Sequence, residues 1–324
     1  MSFESSAERI LRCCCEAIAQ GEESLWLTTV LRTWGSSPRP PGAMMLWSPS
    51  TGAVGSVSGG CVEEDMFARF NHGQFSRSKP SRFIYGGEQP SGGAPIQLPC
   101  GGELELLIEP ITTDQVVCWK ALAQRLLARE PVWRSVDLVT GQWQLASEGA
   151  PESAETLISI LLGPTRKLLI IGANAVAACL ADMARGLDFY VEVCDPGEIT
   201  DPVFRSGEHR LRKTYPDGFI AREFSDANCA IVAVSHDPRL DDMALLEALP
   251  GNAFYIGAMG SMQSSIARRD RLLSLDISAS QLQKLRAPIG IDIGSKTPQE
   301  IALSIAADLV SHYRLASPEI GRHQ

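Results

Sequence analysis

The sequence has no run of about 18 apolar residues, the length a membrane-crossing helix needs, so no transmembrane helix is expected. Its N-terminus, MSFESSAERI, lacks a basic region leading into an apolar run, and no signal peptide is expected. The cysteines never stand at close CxxC spacing, which leaves a zinc knuckle or an iron–sulfur site without local support. Positive charge is in short supply: 29 Lys and Arg against 38 Asp and Glu give a formal net charge of -9 at pH 7. That balance argues against nucleic acid held on a broad basic surface. There is no internal repeat, no low-complexity tract and no Ser-His-Asp order that recommends itself.

What remains is a chain of 324 residues with 44% hydrophobic and 21% charged residues, ordinary for a soluble protein and long enough for two cores. Nine cysteines, an odd number, with no secretion signal predict free thiols and a cytoplasmic location. Three of them are adjacent in LRCCCEAIA, inside an amphipathic helix predicted over 4–20, and read as small core residues. Strands are predicted over 25–34, in the segment after GSSPRPPGA, near 81–85, 96–98 and 103–109, with a helix over 113–128 and a strand near 131–139. From KLLIIGANAVAACLADMARGLDFYVEVCD onward, strands alternate with helices at the spacing of a doubly wound parallel sheet. The reading is α/β: a mixed α/β domain over 1–145, a linker over 146–165, partly structured, and a Rossmann-like parallel-sheet domain over 166–316.

Candidate site residues fall into two groups. In SVSGGCVEED, Gly59 and Gly60 lead into Cys61 at an expected helix start, where helix amides favour a thiolate. Glu63, Glu64 and Asp65 oppose that effect. The cysteine fits a nucleophile, a metal ligand, a grip on a cofactor or a small residue in a tight turn. LPCGGELEL is its mirror image, with Cys100 ahead of Gly101 and Gly102, and the polar loop TWGSSPRPPGAMM offers Ser37 and Arg39 to an anionic ligand or forms a rigid turn. In the second half, Gly172 ends a strand and Asp195 ends the next, the spacing of a ribose-binding acid. Asn174 and Ala177 replace the usual second and third glycines, which weakens the case for NAD in its usual pose. His236 and Asp237 follow another strand end as ligand-edge or capping residues, and Gly257, Gly260 and Ser261 suggest an anion-holding turn. Thr297, Pro298 and Glu300 spell a capping box.

Together TWGSSPRPPGAMM, GSVSGGCVEED, LPCGGELELLIEP, LLIIGANAVA, VAVSHDPRLDD, YIGAMGSMQSS and APIGIDIGSKTPQEIALSIAADLV resemble, in order, the XdhC/CoxI family, accessory proteins of molybdenum hydroxylases such as xanthine dehydrogenase. The resemblance spans about residues 25–313 and implies a chaperone without turnover of its own. Such a protein binds and protects the molybdenum cofactor, as molybdopterin or molybdopterin cytosine dinucleotide. It works with a cysteine desulfurase, delivers the cofactor to a molybdenum hydroxylase apoenzyme, and is commonly a homodimer. The family's glycine-flanked cysteines match Cys61 and Cys100, which become the cofactor-facing thiols and candidate molybdenum contacts. Two departures stand out: the family's Gly-Ala-Gly-His is Gly172-Ala173-Asn174-Ala175 here, and its Gly-Ser-Arg-Arg turn carries Met262 and Gln263. The competing readings are an NAD(P)-dependent oxidoreductase, with His236 as acid/base, and a scaffold that docks a molybdoenzyme without binding cofactor.

Overall fold

The computed structural model describes residues 6–35, 39–88, 96, 98, 101–147, 156–198, 202–205 and 209–316. The chain divides into two compact units, with the boundary between Pro164 and Thr165.

The N-terminal unit contains helices α1 (Ser6–Ala19), α2 (Glu63–Asn71) and α3 (Val116–Leu127). Its strands are β1 (Leu25–Trp34), β2 (Met44–Ser48), β3 (Gly52–Gly55), β4 (Ser81–Tyr85), β5 (Glu103–Ile111), β6 (Val132–Asp137), β7 (Trp143–Ala146) and β8 (Leu157–Leu162). Five strands form an antiparallel sheet in the order β3-β2-β1-β5-β4. Successive side chains of β1 point to opposite faces, and both faces are covered. Leu25 and Leu27 join Ile10, Cys14, Trp119 and Leu122 beneath α1 and α3, whereas Trp26 and Val30 join Met66 and Phe70 of α2. Trp26 and Trp47 stack on Phe70, each with ring centroids 5.0 Å away. Cys14 is buried, which pushes its thiol up, and Cys13 and Cys15 pack at the edge of the same core.

The expected helix over 113–128 begins with a single 3-10 turn, Thr113–Gln115, before α3. Two sequence expectations need revision. Ile96 and Leu98 are not in a strand; they pack against the α2-side core, and the Ile96 carbonyl accepts a bond from the Gly86 amide at 2.7 Å. The segment expected as a linker supplies β8, which pairs with β6 in a second antiparallel sheet ordered β7-β6-β8. This sheet closes over a buried ion pair. Arg134 binds Glu109 through both guanidinium ends, at 2.9 and 2.5 Å, with its cation 4.6 and 4.4 Å from the Trp119 and Trp143 rings.

The C-terminal unit contains β9 (Lys167–Ile171), α4 (Ala175–Gly186), β10 (Tyr190–Cys194), α5 (Pro202–Arg205), β11 (Leu211–Arg212) and α6 (Pro216–Glu223). There follow β12 (Cys229–Ala233), α7 (Pro238–Ala248), β13 (Tyr255–Ala258), α8 (Met262–Ser274), α9 (Ala279–Leu282), β14 (Leu285–Arg286) and α10 (Pro298–Ala316). Its six parallel strands lie in the order β11-β10-β9-β12-β13-β14. Counted from β9, that is 3-2-1-4-5-6, the order of dinucleotide-binding folds, with its reversal between β9 and β12. β9 and β12 are apolar on both faces because helices cover both. The predicted capping box forms: the Thr297 amide donates to Glu300 at 2.9 Å and the Glu300 amide to the Thr297 hydroxyl at 3.3 Å. Among the described residues, no helix is long and apolar enough to cross a membrane.

Candidate functional site

Register brings the motif loops of the N-terminal unit to one end of its sheet. Trp34 at the end of β1 faces Glu103 at the start of β5, and Tyr85 at the end of β4 faces Leu104. Gly55 at the end of β3 faces Met45 near the start of β2. The chain therefore leaves the sheet at 35, 56 and 86 on the same side, and returns to it there before β2 and β5. The backbones meet closely at this end. A β-carbon on Gly35 would sit 3.4 Å from Gly102 Cα, and one on Gly86 would collide with the Gly102 carbonyl. Ser37 and Cys100 lie outside the described residues; Arg39 is exposed, Gly101 turns back onto the Leu98 carbonyl at 3.0 Å, and Gly102 is buried.

The stretch SVSGGCVEED is organised by a residue that the sequence did not single out. Glu63 is only 8% exposed, and its carboxylate faces back into residues 56–62. One oxygen accepts from the Ser56 hydroxyl (2.6 Å) and the amides of Val57 (3.1 Å) and Ser58 (3.0 Å). The other accepts from the Ser58 hydroxyl and the amides of Gly60 (3.1 Å) and Val62 (3.2 Å). Burial alone would push this carboxyl up, but the bonds from Ser56 and Ser58 outweigh it and hold it at about 2. Gly59 and Gly60 have φ of 77° and 113°, values that residues with a β-carbon rarely adopt, so the turn needs both glycines. The helix begins at Glu63, two residues later than a cysteine-first helix requires, and Cys61 is exposed on the loop before it. Asp65 is bonded from its own helix and from β4: it accepts from Arg69 Nε at 2.6 Å and Tyr85 Oη at 2.6 Å. Burial opposes, and those two bonds achieve, a carboxyl held below its ordinary range. Of the three acids after Cys61, only Glu63 is buried; the Asp65 side chain is half-buried and Glu64 is exposed.

In the C-terminal unit, a cavity of about 540 Å³ opens where the strand order reverses, lined in part by Gly172, Asn174, Asp195, Tyr215, His236 and Asp237. Five of the residues chosen from sequence thus share one cleft. Gly172, at φ 100°, lies so close to the β12–α7 turn that a β-carbon would come within 2.6 Å of Ser235 Cα. Asn174 caps α4: its oxygen accepts from the Ala177 amide at 3.1 Å, and its nitrogen donates to the Val234 carbonyl at 2.6 Å. The asparagine therefore replaces a phosphate-approach glycine with a cap and a tie between strand ends. Asp195 accepts from the amides of Ala173 and Gly197, both at 2.8 Å. Its carboxylate already holds the turn amide that faces pyrophosphate in the usual fold, yet each oxygen keeps a lone pair for a hydroxyl donor.

His236 is exposed at the cleft. Asp237 caps α7 at the Arg239 amide (2.9 Å) and pairs with the Arg239 guanidinium at 3.0 Å, and Arg239 holds this carboxyl below its ordinary range. Behind them, the Ser235 amide donates to buried Asp241 at 3.1 Å, and Arg268 of α8 binds the same carboxylate at 2.9 Å. Gly257, Gly260 and Ser261 do not line this cavity. Gly257 lies inside β13 beneath Ile289, where a side chain has no room, and Ser261 caps α8 at the Ser264 amide (3.1 Å). Gly260 and Ser261 lie where the chain enters α8, one strand further along the sheet than the cleft.

Among the described residues, no group of three or more His, Cys, Asp or Glu side chains is placed to hold a metal ion.

Comparison with known proteins matches residues 168–309 to the XdhC Rossmann domain and residues 18–73 to the XdhC and CoxI family. The chain is 28% identical to the molybdenum cofactor insertion chaperone PaoD of Escherichia coli (strain K12), across 93% of this chain and 87% of that protein. It is 25% identical to a probable xanthine dehydrogenase subunit of Bacillus subtilis (strain 168), across 91% and 95%. Its fold is similar to the crystal structure of a xanthine dehydrogenase from Bacillus halodurans, with a TM-score of 0.71 and 22% identity over 98% and 97% of the two chains. The two family matches together cover more than half of the 324 residues, and the chain belongs to the XdhC and CoxI family.

Proposed function

We propose that this member of the XdhC and CoxI family is a molybdenum-cofactor chaperone that holds the sulfurated cofactor and delivers it to a molybdenum hydroxylase apoenzyme. Its role is accessory rather than catalytic, and a relative spanning most of its length is named an insertion chaperone for this cofactor. The observation that carries the reading is the gathering of the chain exits at 35, 56 and 86 at one end of the N-terminal sheet, with Cys61 exposed after the second of them.

Cys61 and Cys100 are the thiols that face the cofactor and contact its molybdenum, with Ser37, Arg39 and the glycines of both motifs around them. Bound, the cofactor supplies the molybdenum and terminal sulfur that the client requires. Taken by itself, the cleft of the C-terminal unit with Asp195, Asn174 and His236 is suited to a nucleotide, Asp195 accepting from its hydroxyls. The proposed working state is a cytoplasmic homodimer that receives sulfur through a cysteine desulfurase.

The test is purification from cells with and without molybdenum-cofactor synthesis, followed by metal, pterin and nucleotide analysis. Molybdenum and pterin are expected together in the first preparation alone, and their loss in a Cys61→Ala/Cys100→Ala double variant. Retention of cofactor and client activation by that variant would refute the thiol site. Tight NAD(P) binding with hydride transfer would instead establish the oxidoreductase reading.

A further inference from the structure

We propose that Glu63 is the positioning residue for Cys61: its buried carboxylate fixes residues 56–62 in one conformation and so sets how the thiol is presented. The inference rests on the reading of Cys61 as a cofactor-facing thiol, and it names the residue that makes that thiol usable.

The geometry leaves the loop little freedom. Glu63 takes donors from both sides of the Gly59–Gly60 turn, three on each carboxylate oxygen. The Ser56 and Ser58 hydroxyls in turn accept from the Gly59 amide at 2.8 Å and the Val62 amide at 3.1 Å. A glycine pair is the most flexible element a chain can contain, and the clamp removes that flexibility before any ligand arrives. Successive amides converging on one point make an anion-binding concavity, and here the chain's own carboxylate fills it. The loop is thereby closed to a phosphate, and the reactive side chain it leaves exposed is Cys61. A ligand that meets this loop meets sulfur, already held in place.

Glutamine is the discriminating replacement. It keeps the shape of Glu63, but its amide nitrogen must face two backbone N–H donors whichever way it is turned, with only a serine hydroxyl able to reverse and accept from it. Glu63→Gln, Ser56→Ala/Ser58→Ala and Cys61→Ala in the full chain are compared by three measurements. These are the alkylation rate at the Cys61 peptide by mass spectrometry, cofactor retained on purification, and thermal unfolding. Cys118, exposed on α3, is the internal standard.

In Glu63→Gln, alkylation of Cys61 is expected to rise roughly tenfold relative to Cys118, and cofactor retention to fall by a similar factor. The hydroxyl double variant, which keeps the backbone donors and the carboxylate, is expected to move both in the same direction by less. A Cys61 rate within about twofold of wild type in folded Glu63→Gln overturns the proposal. If that variant does not fold, an unchanged rate in the hydroxyl variant overturns it equally. A changed rate combined with full cofactor retention in Cys61→Ala leaves Glu63 as the loop's clamp and refutes the cofactor reading instead.

Discussion

Protonating Glu63 removes the charge on which six donors converge, so the Cys61 loop is built around an acid-sensitive joint. The folded carboxyl is held at about 2, below its ordinary value of 4.5. A depressed acid stabilises the fold above the unfolded pKa, and this contribution is lost as pH falls from about 4.5 towards 2, roughly 3 kcal/mol in all. Urea titrations between pH 6 and pH 3 are expected to show about 2 kcal/mol of that loss in wild type and a flatter profile in Glu63→Gln. The cysteine and its glycines are legible in the sequence but this residue is not, because three consecutive acids at a helix start all read as first-turn charge. Which one turns inward depends on where Ser56 and Ser58 sit, and that is set by the β3–α2 turn rather than by composition. Asn174 was legible as a departure from a glycine pattern. Its use as a cap bonded to the Val234 carbonyl required the neighbouring strand.

Elements in the C-terminal unit are joined by contacts of specific cost. Asn174→Ala removes a helix cap and the tie from β9–α4 to β12, and is expected to destabilise by about 1–2 kcal/mol in chemical denaturation. Asp241→Ala leaves Arg268 buried without its nearest partner and strips the Ser235 amide; the expected loss is about 3–5 kcal/mol, read in the same assay. Gly172→Ala places a β-carbon 2.6 Å from Ser235 Cα at a φ of 100°, for an expected loss of about 2–4 kcal/mol. The parallel strands of this unit were legible because apolar runs between glycine turns have few alternatives. β8 was hidden in a segment whose first half is polar and whose partner, β6, lies some 25 residues earlier in the chain. The stretch 96–98 misled for the opposite reason: apolar residues in a loop pack on the core without joining a ladder.

At the scale of the molecule, a doubly wound parallel sheet was implied by alternating strands and helices, whereas its two-residue edge strands β11 and β14 and the pairing of the five-stranded N-terminal sheet were not. Its central pair, β1 with β5, joins strands separated by some 70 residues, and no local pattern encodes that. Each unit has its own buried clusters, two on either side of residue 164. A fragment over 165–316 is therefore expected to unfold cooperatively by circular dichroism. The proposed homodimer is read by sedimentation of the full chain. The tryptophan packing around Phe70 and Arg134 has an optical consequence. All six indoles, at positions 26, 34, 47, 119, 133 and 143, belong to the unit that carries Cys61, and the other unit has none. Indole emission is thus a private channel to one half of the protein. Set beside ellipticity, which both halves contribute, it separates the melting of the thiol-bearing unit from that of its neighbour without any label.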